Sequence, residues 1–146
     1  MKILVLSDNH FVSLDDIDFD KYDYVIHCGD YGKSVNINHC NCKFVRGNCD
    51  SIGQKYIVTD INDKKVLITH GDLENVKFGF QSLVYKALEL EVKVVFFGHT
   101  HQLTYFTEQG ILFLNPGSYP LTYIEIDDNF IYLISCENKR KIEYKW

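Results

Sequence analysis

The chain has 146 residues, of which 46% are hydrophobic and 24% charged, and it contains two prolines and nine glycines. These values are typical of a globular protein and exclude a disordered or fibrous chain. Fifteen basic residues against twenty acidic ones give a net charge of −5, which disfavours binding of extended nucleic acid through its phosphates. No apolar run approaches the roughly 18 residues of a membrane helix, so no membrane partner is expected.

The cysteines and the first residues indicate the compartment. Five cysteines cannot all pair with one another, and only four apolar residues follow Lys2, too few for a secretion signal. Reduced thiols and a cytoplasmic location are therefore expected. His39, Cys40, Cys42 and Cys49 suggest a zinc knot, but the second ligand pair of a zinc finger is missing, which favours a loop with incidental thiols.

No repeat or linker divides the chain, so residues 1–146 are predicted to form a single domain. Apolar runs predict strands at 2–6, 24–28, 43–46, 55–59 and 65–69, the last two joined by a hairpin turn at 62–63. One helix is predicted over 80–90, where Leu83, Val84, Ala87 and Leu88 recur at helical spacing. Further strands are predicted at 92–97, 103–107, 111–114, 120–126, 130–135 and 141–145. This strand-rich pattern with short helices indicates a layered α/β (α+β) domain whose sheets pack on each other.

Side chains of metal-ligand type follow the predicted strands at the points where the strands end. In chain order they are Asp8, His10, Asp30, Asn48, His70, His99 and His101. In open α/β sheets, sites form beyond the carboxyl ends of the strands. Residues at i and i+2 of an extended chain project to the same side, which pairs Asp8 with His10 and His99 with His101. We therefore expect all seven side chains to line one cavity.

The chemistry of this set indicates a pair of metal ions. Four imidazoles, two carboxylates and one amide oxygen suit manganese, iron, zinc or cobalt better than calcium. Seven ligands are too many for one tetrahedral ion but suit two ions that share a bridging carboxylate. Two ions about 3.5–4 Å apart acidify a bridging water and hold the oxygens of a phosphoryl group. The competing interpretation is a set of unrelated structural histidines.

The motifs that carry these residues resemble those of the calcineurin-like metallophosphoesterases. They are Ser7-Asp8-Asn9-His10, Gly29-Asp30, Gly47-Asn48-Cys49-Asp50, Thr69-His70-Gly71 and Gly98-His99-Thr100-His101, in the family's order. The chain is most similar to the small YfcE-like phosphodiesterase branch. Its segment Asn115-Pro116-Gly117-Ser118 resembles the late loop of that branch. The resemblance implies a metallophosphoesterase-type β-sandwich flanked by helices, with the motifs on loops at one edge.

The resemblance also implies the roles of the site residues. Asp30 would bridge two divalent ions, the first held by Asp8, His10 and His101 and the second by Asn48, His70 and His99. Mn²⁺ is the expected ion, with Ni²⁺, Co²⁺, Fe²⁺ and Zn²⁺ as alternatives. A metal-bridging hydroxide would attack the phosphorus of a small phosphate ester, above all a phosphodiester.

Cys49 stands where the wider superfamily often has a histidine that protonates the leaving alcohol. Cys49 is therefore a candidate leaving-group acid, although a neutral thiol is a weak hydrogen-bond donor. The resemblance and the exposed sheet edges are compatible with a homodimer or a higher homo-oligomer.

Two other functions are compatible with the pattern. A relative of this fold, a retromer subunit, binds partner proteins and has an eroded metal site; such a non-catalytic scaffold is the alternative, but seven intact ligands favour the enzyme. A nuclease would need a basic groove, whereas the sequence offers only the cluster Lys139-Arg140-Lys141.

Some positions depart from the family pattern or have two interpretations. Phe11 stands where a glycine often follows the first motif, and either narrows the mouth of the site or packs beneath it. The segments after the first and second motifs are too short for the long helices usual there. His27 is predicted to be buried in its strand, and His39 is predicted to be exposed. Arg46 either contacts a substrate phosphate or packs at the surface.

Overall fold

The computed structural model describes residues 1–146 and contains eleven strands, one α-helix and three short 3₁₀ turns. The strands are β1 (Ile3–Leu6), β2 (Tyr24–His27), β3 (Cys42–Phe44), β4 (Tyr56–Ile61), β5 (Lys64–Thr69), β6 (Val94–Phe96), β7 (Leu103–Glu108), β8 (Ile111–Pro116), β9 (Thr122–Ile126), β10 (Phe130–Ser135) and β11 (Lys139–Glu143). The helix α1 spans Gln81–Glu89, and the 3₁₀ turns span Phe19–Lys21, Val35–Asn38 and Val76–Phe78. No helix has the length and apolar character needed to cross a membrane.

The strands form two mixed sheets that stack face to face. One sheet has the order β11-β10-β9-β1-β2-β3, with β1, β2 and β3 parallel, and the other has the order β4-β5-β6-β8-β7, with β5, β6 and β8 parallel. Alternate residues of β1 face opposite sides, as strand geometry requires. Ile3 and Val5 pack into the core between the sheets, together with Ile68 and Phe96 from the other sheet.

The two outer faces of the sandwich are covered differently. Helix α1 covers the five-stranded sheet, because Leu83, Val84 and Ala87 form its apolar face and pack on Phe97 and Phe113. The outer face of the six-stranded sheet is covered by residues of a loop and a 3₁₀ turn, among them Leu14 and Phe19, which pack with Leu4 and Leu6 of β1. The predicted strand-rich, layered α/β fold is confirmed, and 3₁₀ turns replace long helices after the first and second motifs.

Most differences from the predicted elements are shifts of their ends. The hairpin turn forms as predicted, with Asn62 and Asp63 both in the left-handed region at φ 45° and 66°, the conformation of a tight two-residue hairpin turn. The strand expected from residue 120 begins at Thr122, because Pro120 has no amide hydrogen to donate to a neighbouring strand. The last strand lies two residues earlier than predicted, at Lys139–Glu143, where it pairs with β10.

The loops that follow β1, β2, β5 and β6 meet at one edge of the sandwich. The Asp8 amide donates to Gly29 O and the His10 amide to Asp30 O, both at 2.9 Å, which joins the loops after β1 and β2. The Gly98 amide donates to His70 O at 2.9 Å and joins the loops after β5 and β6. These backbone hydrogen bonds hold the motif-bearing loops of each sheet next to each other.

Candidate metal centre

The structure brings five of the seven predicted ligands together in two overlapping groups. The ligand atoms of Asp8, His10 and His101 all lie within 4.8 Å of one another, and so do those of Asp8, Asp30 and His70. Within the first group, His101 Nε2 is 3.2 Å from Asp8 Oδ1 and 3.4 Å from His10 Nε2.

The other ligands surround His70. Its Nε2 lies 2.9 Å from Asn48 Oδ1, 3.2 Å from His99 Nδ1 and 3.3 Å from Asp30 Oδ2. Asp30 also belongs to a group with His10. It therefore lies between the two sets of ligands, which is where a bridging carboxylate is required. The assignment of individual ligands to individual ions stays a prediction.

Five of the seven ligands have left-handed backbone conformations. Asp8, His10, Asp30, His99 and His101 have φ of 52°, 49°, 59°, 73° and 61°. Each such residue costs about 1–2 kcal/mol relative to ordinary backbone, and strain of this kind concentrates at functional sites. The extended backbone expected for the two i, i+2 pairs is therefore wrong, although each pair does direct both side chains into the site.

Glycines in the motifs make room for the ligand side chains. A Cβ atom at Gly47 would overlap Asp30 Oδ1, and one at Gly98 would overlap Ser7 Oγ and lie 2.7 Å from Asp8 Oδ2. The backbone of one loop is thus packed directly against the carboxylate of another, which any larger residue would prevent.

Neighbouring polar side chains fix the loops that carry Asp8, His10 and Asp30. The Nε2 atom of buried His27 lies 2.6 Å from Asn9 Oδ1, and its Nδ1 accepts the Gly29 amide at 3.0 Å. Because Nδ1 accepts, Nε2 carries the proton and donates to Asn9, whose amide group donates to Val12 O. The prediction of a buried His27 is confirmed, but sequence reasoning missed its contact with Asn9.

Two further supports come from residues inside the motifs whose roles sequence reasoning missed. Asp50 Oδ2 accepts the Asp30 and Gly47 amides at 2.7 and 2.8 Å and so joins the second and third motifs. The Ser118 hydroxyl donates to Asp8 O at 2.8 Å. The sequence did contain a signal for these roles, because Asp50 and Ser118 are polar residues of the quoted motifs to which no ligand role is assigned.

Burial and neighbouring charges shift the two carboxylates in opposite directions. Burial raises the pKa of Asp8 above its usual value, and His70 and the Ser7 hydroxyl offset this only in part. Asp30 is also affected by burial, but contacts with His70 and with the Cys49 amide outweigh it and hold the pKa of Asp30 below its usual range. Burial lowers the pKa of His99, and the nearby His70 lowers it further.

The donor atoms of the cluster fit divalent metal ions. Asp8 Oδ1 is buried and has no hydrogen-bond donor. His70 Nδ1 donates to Cys28 O at 2.7 Å, so Nε2 presents a lone pair to the oxygens of Asn48 and Asp30. Lone pairs this close repel one another unless a cation lies between them. Burial lowers the pKa of His70, but the contact with Asp30 and the charge of Asp8 outweigh burial and raise it above its usual value.

Cys49 lies at the exposed rim of the cluster. Its Sγ and the ligand atoms of His10 and Asp30 all lie within 4.8 Å of one another. Partial burial and the Asp30 carboxylate raise the pKa of the Cys49 thiol. It is therefore a neutral thiol at neutral pH, as a proton donor must be.

Other singled-out residues lie around the site or away from it. Phe11 is 87% exposed, so it does not pack beneath the metal ligands. His39 is half-buried, with its Nε2 3.1 Å from Asp20 Oδ1, and the expectation of an exposed side chain is wrong. Cys40 and Cys42 belong to none of the groups that could hold a metal.

A cavity of about 280 Å³ opens beside Asn48 and is lined in part by Arg46, Lys55 and Asp72. Neither Arg46 nor Lys55 has a carboxylate partner within 4.0 Å. A larger cavity of about 550 Å³, beside Met1 and Tyr24, contains none of the predicted ligands. The donor atoms, and not cavity size, therefore mark the functional site.

Comparison with known proteins identifies the family. Residues 1–136 match the sequence model of the calcineurin-like phosphoesterase superfamily domain, and the chain belongs to that superfamily. The probable metallophosphoesterase YsnB of Bacillus subtilis is 30% identical over 148 residues, which cover 94% of this chain and 86% of the relative. The resemblance seen in the motifs is confirmed.

Solved structures agree with the fold. A conserved uncharacterised protein of Streptococcus pneumoniae, described as a predicted phosphoesterase, is 29% identical with a TM-score of 0.79, over 98% of this chain and 97% of that one. The zinc complex of Vps29 from Entamoeba histolytica is 22% identical with a TM-score of 0.77, over 99% and 98% of the two chains. At that identity, the likeness to Vps29 concerns the fold alone.

Proposed function

We propose that this protein is a divalent-metal-dependent phosphodiesterase that hydrolyses small phosphodiesters. The observation that carries the proposal is the cluster of seven oxygen and nitrogen ligands at one site, where Asp8 Oδ1 is buried without a donor. Metal-assisted hydrolysis of a phosphate ester at this cluster accords with the chain's membership of the calcineurin-like phosphoesterase superfamily.

The proposed ligand sets follow the two groups of side chains. Asp8, His10 and His101 would hold one ion, Asn48, His70 and His99 the other, and Asp30 would contact both. When bound, the ions would supply an acidified water and neutralise the phosphoryl oxygens. Mn²⁺ is the proposed ion, and the mixed imidazole and carboxylate ligands also accept Fe²⁺, Co²⁺, Ni²⁺ and Zn²⁺.

The chain's own residues orient these ligands before the substrate arrives. The Cys28 carbonyl fixes the tautomer of His70 by accepting its Nδ1–H at 2.7 Å. The amides of Cys49 and His99 donate to Asp30 Oδ1 and Asp8 Oδ2 at 2.9 and 3.0 Å and orient both carboxylates. Ligands held in this way need little rearrangement during the reaction, which is the main source of electrostatic catalysis.

Two features of the rim favour small diesters. Asn48, Cys49 and His101 are exposed, so both ester groups of a diester can extend away from the phosphorus into solvent. Arg46 and Lys55, in the cavity beside Asn48, can attract the part of the substrate that does not react. Since the only proton donor proposed at the rim is the weak thiol of Cys49, esters with good leaving groups should react fastest.

One experiment tests both the proposed phosphodiesterase activity and the alternative of a non-catalytic scaffold. Metal-stripped protein is reloaded with Mn²⁺ and assayed with bis(p-nitrophenyl) phosphate and with p-nitrophenyl phosphate. We expect Mn²⁺-dependent hydrolysis, faster for the diester, and a loss of at least about 100-fold in Asp30→Asn, in the range seen when a positioned catalytic group is lost.

Asp63→Asn is the matched control, because Asp63 is exposed in the hairpin turn and asparagine tolerates its left-handed backbone. It should retain full activity. Mn²⁺ binding without hydrolysis of any ester would reject the enzyme and leave the scaffold.

A further inference from the structure

Cys49 is held at the metal centre by its own backbone. Its amide donates to Asp30 Oδ1 at 2.9 Å, and the preceding residue is the proposed ligand Asn48. The side chain is exposed, and its Sγ accepts only a long contact of 3.7 Å from the Asn48 side-chain amide. The sulfur is therefore available to a ligand at the rim of the site.

The position of Sγ is that of a metal ligand. Sγ, a ring nitrogen of His10 and a carboxylate oxygen of Asp30 all lie within 4.8 Å of one another. Two ligands on one tetrahedral zinc ion lie about 3.3–3.8 Å apart, given the usual bond lengths to nitrogen and sulfur. Small side-chain rotations would bring all three atoms onto one ion.

The same place holds a further feature that points to a cation. Asp8 Oδ1, which belongs to a group with His10 and to a group with Asp30, is buried and has no donor. Cys49 therefore lies beside a cluster that contains a buried carboxylate oxygen without a donor, and is not a thiol that lies alone on the surface.

We propose that Cys49 Sγ is an additional ligand for thiophilic divalent ions, Zn²⁺ and Cd²⁺, and discriminates them from Mn²⁺. The proposal rests on the metal centre of the proposed function. As the bond between Sγ and the ion forms, the S–H bond breaks and its proton passes to solvent. Thiolate is a soft ligand and prefers such ions, whereas Mn²⁺ is served by the carboxylates and imidazoles.

The chain supplies matched controls for this sulfur. Cys40 and Cys136 are also exposed free cysteines, but neither belongs to a group that could hold a metal. Cys40 Sγ is 3.7 Å from His39 Nδ1, and Cys136 Sγ is 3.6 Å from Leu121 O. Substitution of either by serine changes an exposed thiol without touching the metal centre.

The first test is titration of the metal-free, reduced full chain with Cd²⁺, followed by ultraviolet absorbance. We expect a sulfur-to-cadmium charge-transfer band that persists in Cys40→Ser and Cys136→Ser and is lost in Cys49→Ser. In calorimetry, Cys49→Ser should raise the Kd for Cd²⁺ by at least about tenfold, comparable with the loss of other interactions around a bound metal. The Kd for Mn²⁺ should stay unchanged.

The second test uses the unsubstituted protein and so does not depend on a variant that folds. Alkylation by iodoacetamide is followed at each cysteine by peptide mass spectrometry. Cd²⁺ should slow alkylation of Cys49 at least about tenfold, Mn²⁺ should slow it much less, and Cys40 and Cys136 should be unaffected.

The outcomes separate this proposal from the proposed function. If Cd²⁺ binds without the band and Cys49 stays reactive, or if the band is lost in Cys40→Ser instead, the proposal is wrong and the metal centre stands. If neither Cd²⁺ nor Mn²⁺ binds at all, the proposed function itself is rejected, and this proposal with it.

Discussion

His27 lies fully buried beneath the loop that carries Asp8 and His10, and its ionisation should control stability in acid. Burial, together with the nearby His70, lowers its pKa from about 6.5 to about 3. Its two ring nitrogens are already used, one as a donor to Asn9 and one as an acceptor from Gly29. The folded protein therefore resists protonation of this ring, whereas the unfolded chain does not.

The sign and size of the effect follow from linkage. Above the unfolded pKa of about 6.5 the ring is neutral in both the folded and the unfolded state, so its lowered pKa does not change the free energy of unfolding. Below it, the unfolded chain gains a proton that the folded chain refuses, so the free energy of unfolding falls by about 1.4 kcal/mol per pH unit. Between pH 7 and pH 4.5 the loss from His27 is about 2.5 kcal/mol, and it continues towards the folded pKa of about 3.

His27→Gln isolates this contribution. The glutamine amide can still donate to Asn9 but leaves the Gly29 amide without an acceptor, which should cost about 1–3 kcal/mol at pH 7. Because glutamine does not titrate, the variant should lose about 2.5 kcal/mol less than the parent on acidification from pH 7 to pH 4.5. Urea unfolding in the presence of EDTA measures both proteins at both pH values. A difference in unfolding free energy that is the same at pH 7 and pH 4.5 would refute the reasoning.

Other predictions concern the site directly. Gly47→Ala places a Cβ against Asp30 Oδ1, and calorimetry should show Mn²⁺ affinity reduced by about 10–100-fold; unchanged affinity would mean that the carboxylate moves freely. Cys49→His should speed hydrolysis of alkyl diesters by about 100-fold or more, the size of general acid catalysis, with little change for aryl diesters. If Cys49→Ala matches the parent on both kinds of ester, the thiol has no acid role. Arg46→Gln should raise KM by about tenfold, a loss of roughly 1.4 kcal/mol of binding, and leave kcat unchanged. Lys139→Gln is the control at an exposed position. A fall in kcat with KM unchanged would instead place Arg46 at the reacting group.

The ligands could be predicted because each follows an apolar strand directly. Asp8 and His99 show the limit, since the hydrogen bond between the Asp8 carboxylate and the His99 amide joins residues 91 positions apart. The motifs indicate that both residues serve one site, but not that one holds the backbone of the other. The left-handed backbone at His10 and His101 could not be predicted either, because only a few per cent of non-glycine residues adopt it, even though histidine is enriched among them.

For the fold as well, some features could be predicted from the sequence and others could not. The periodicity of Leu83, Val84 and Ala87 sufficed to predict α1, since a helix of this length displays a clear apolar face. The cover over the other sheet depends on Leu14 and Phe19, which belong to a loop and a 3₁₀ turn. Isolated apolar residues in short turns have no period, so their burial against β1 could be learned only from the structure.

Diffraction from crystals grown with Mn²⁺, at a wavelength where manganese scatters anomalously, tests the metal centre most directly. The account predicts two anomalous peaks about 3.5–4 Å apart, with Asp30 in contact with both. Asp30→Asn should reduce the occupancy of at least one peak. A single peak, or peaks remote from Asp8, Asp30 and His70, would contradict the account.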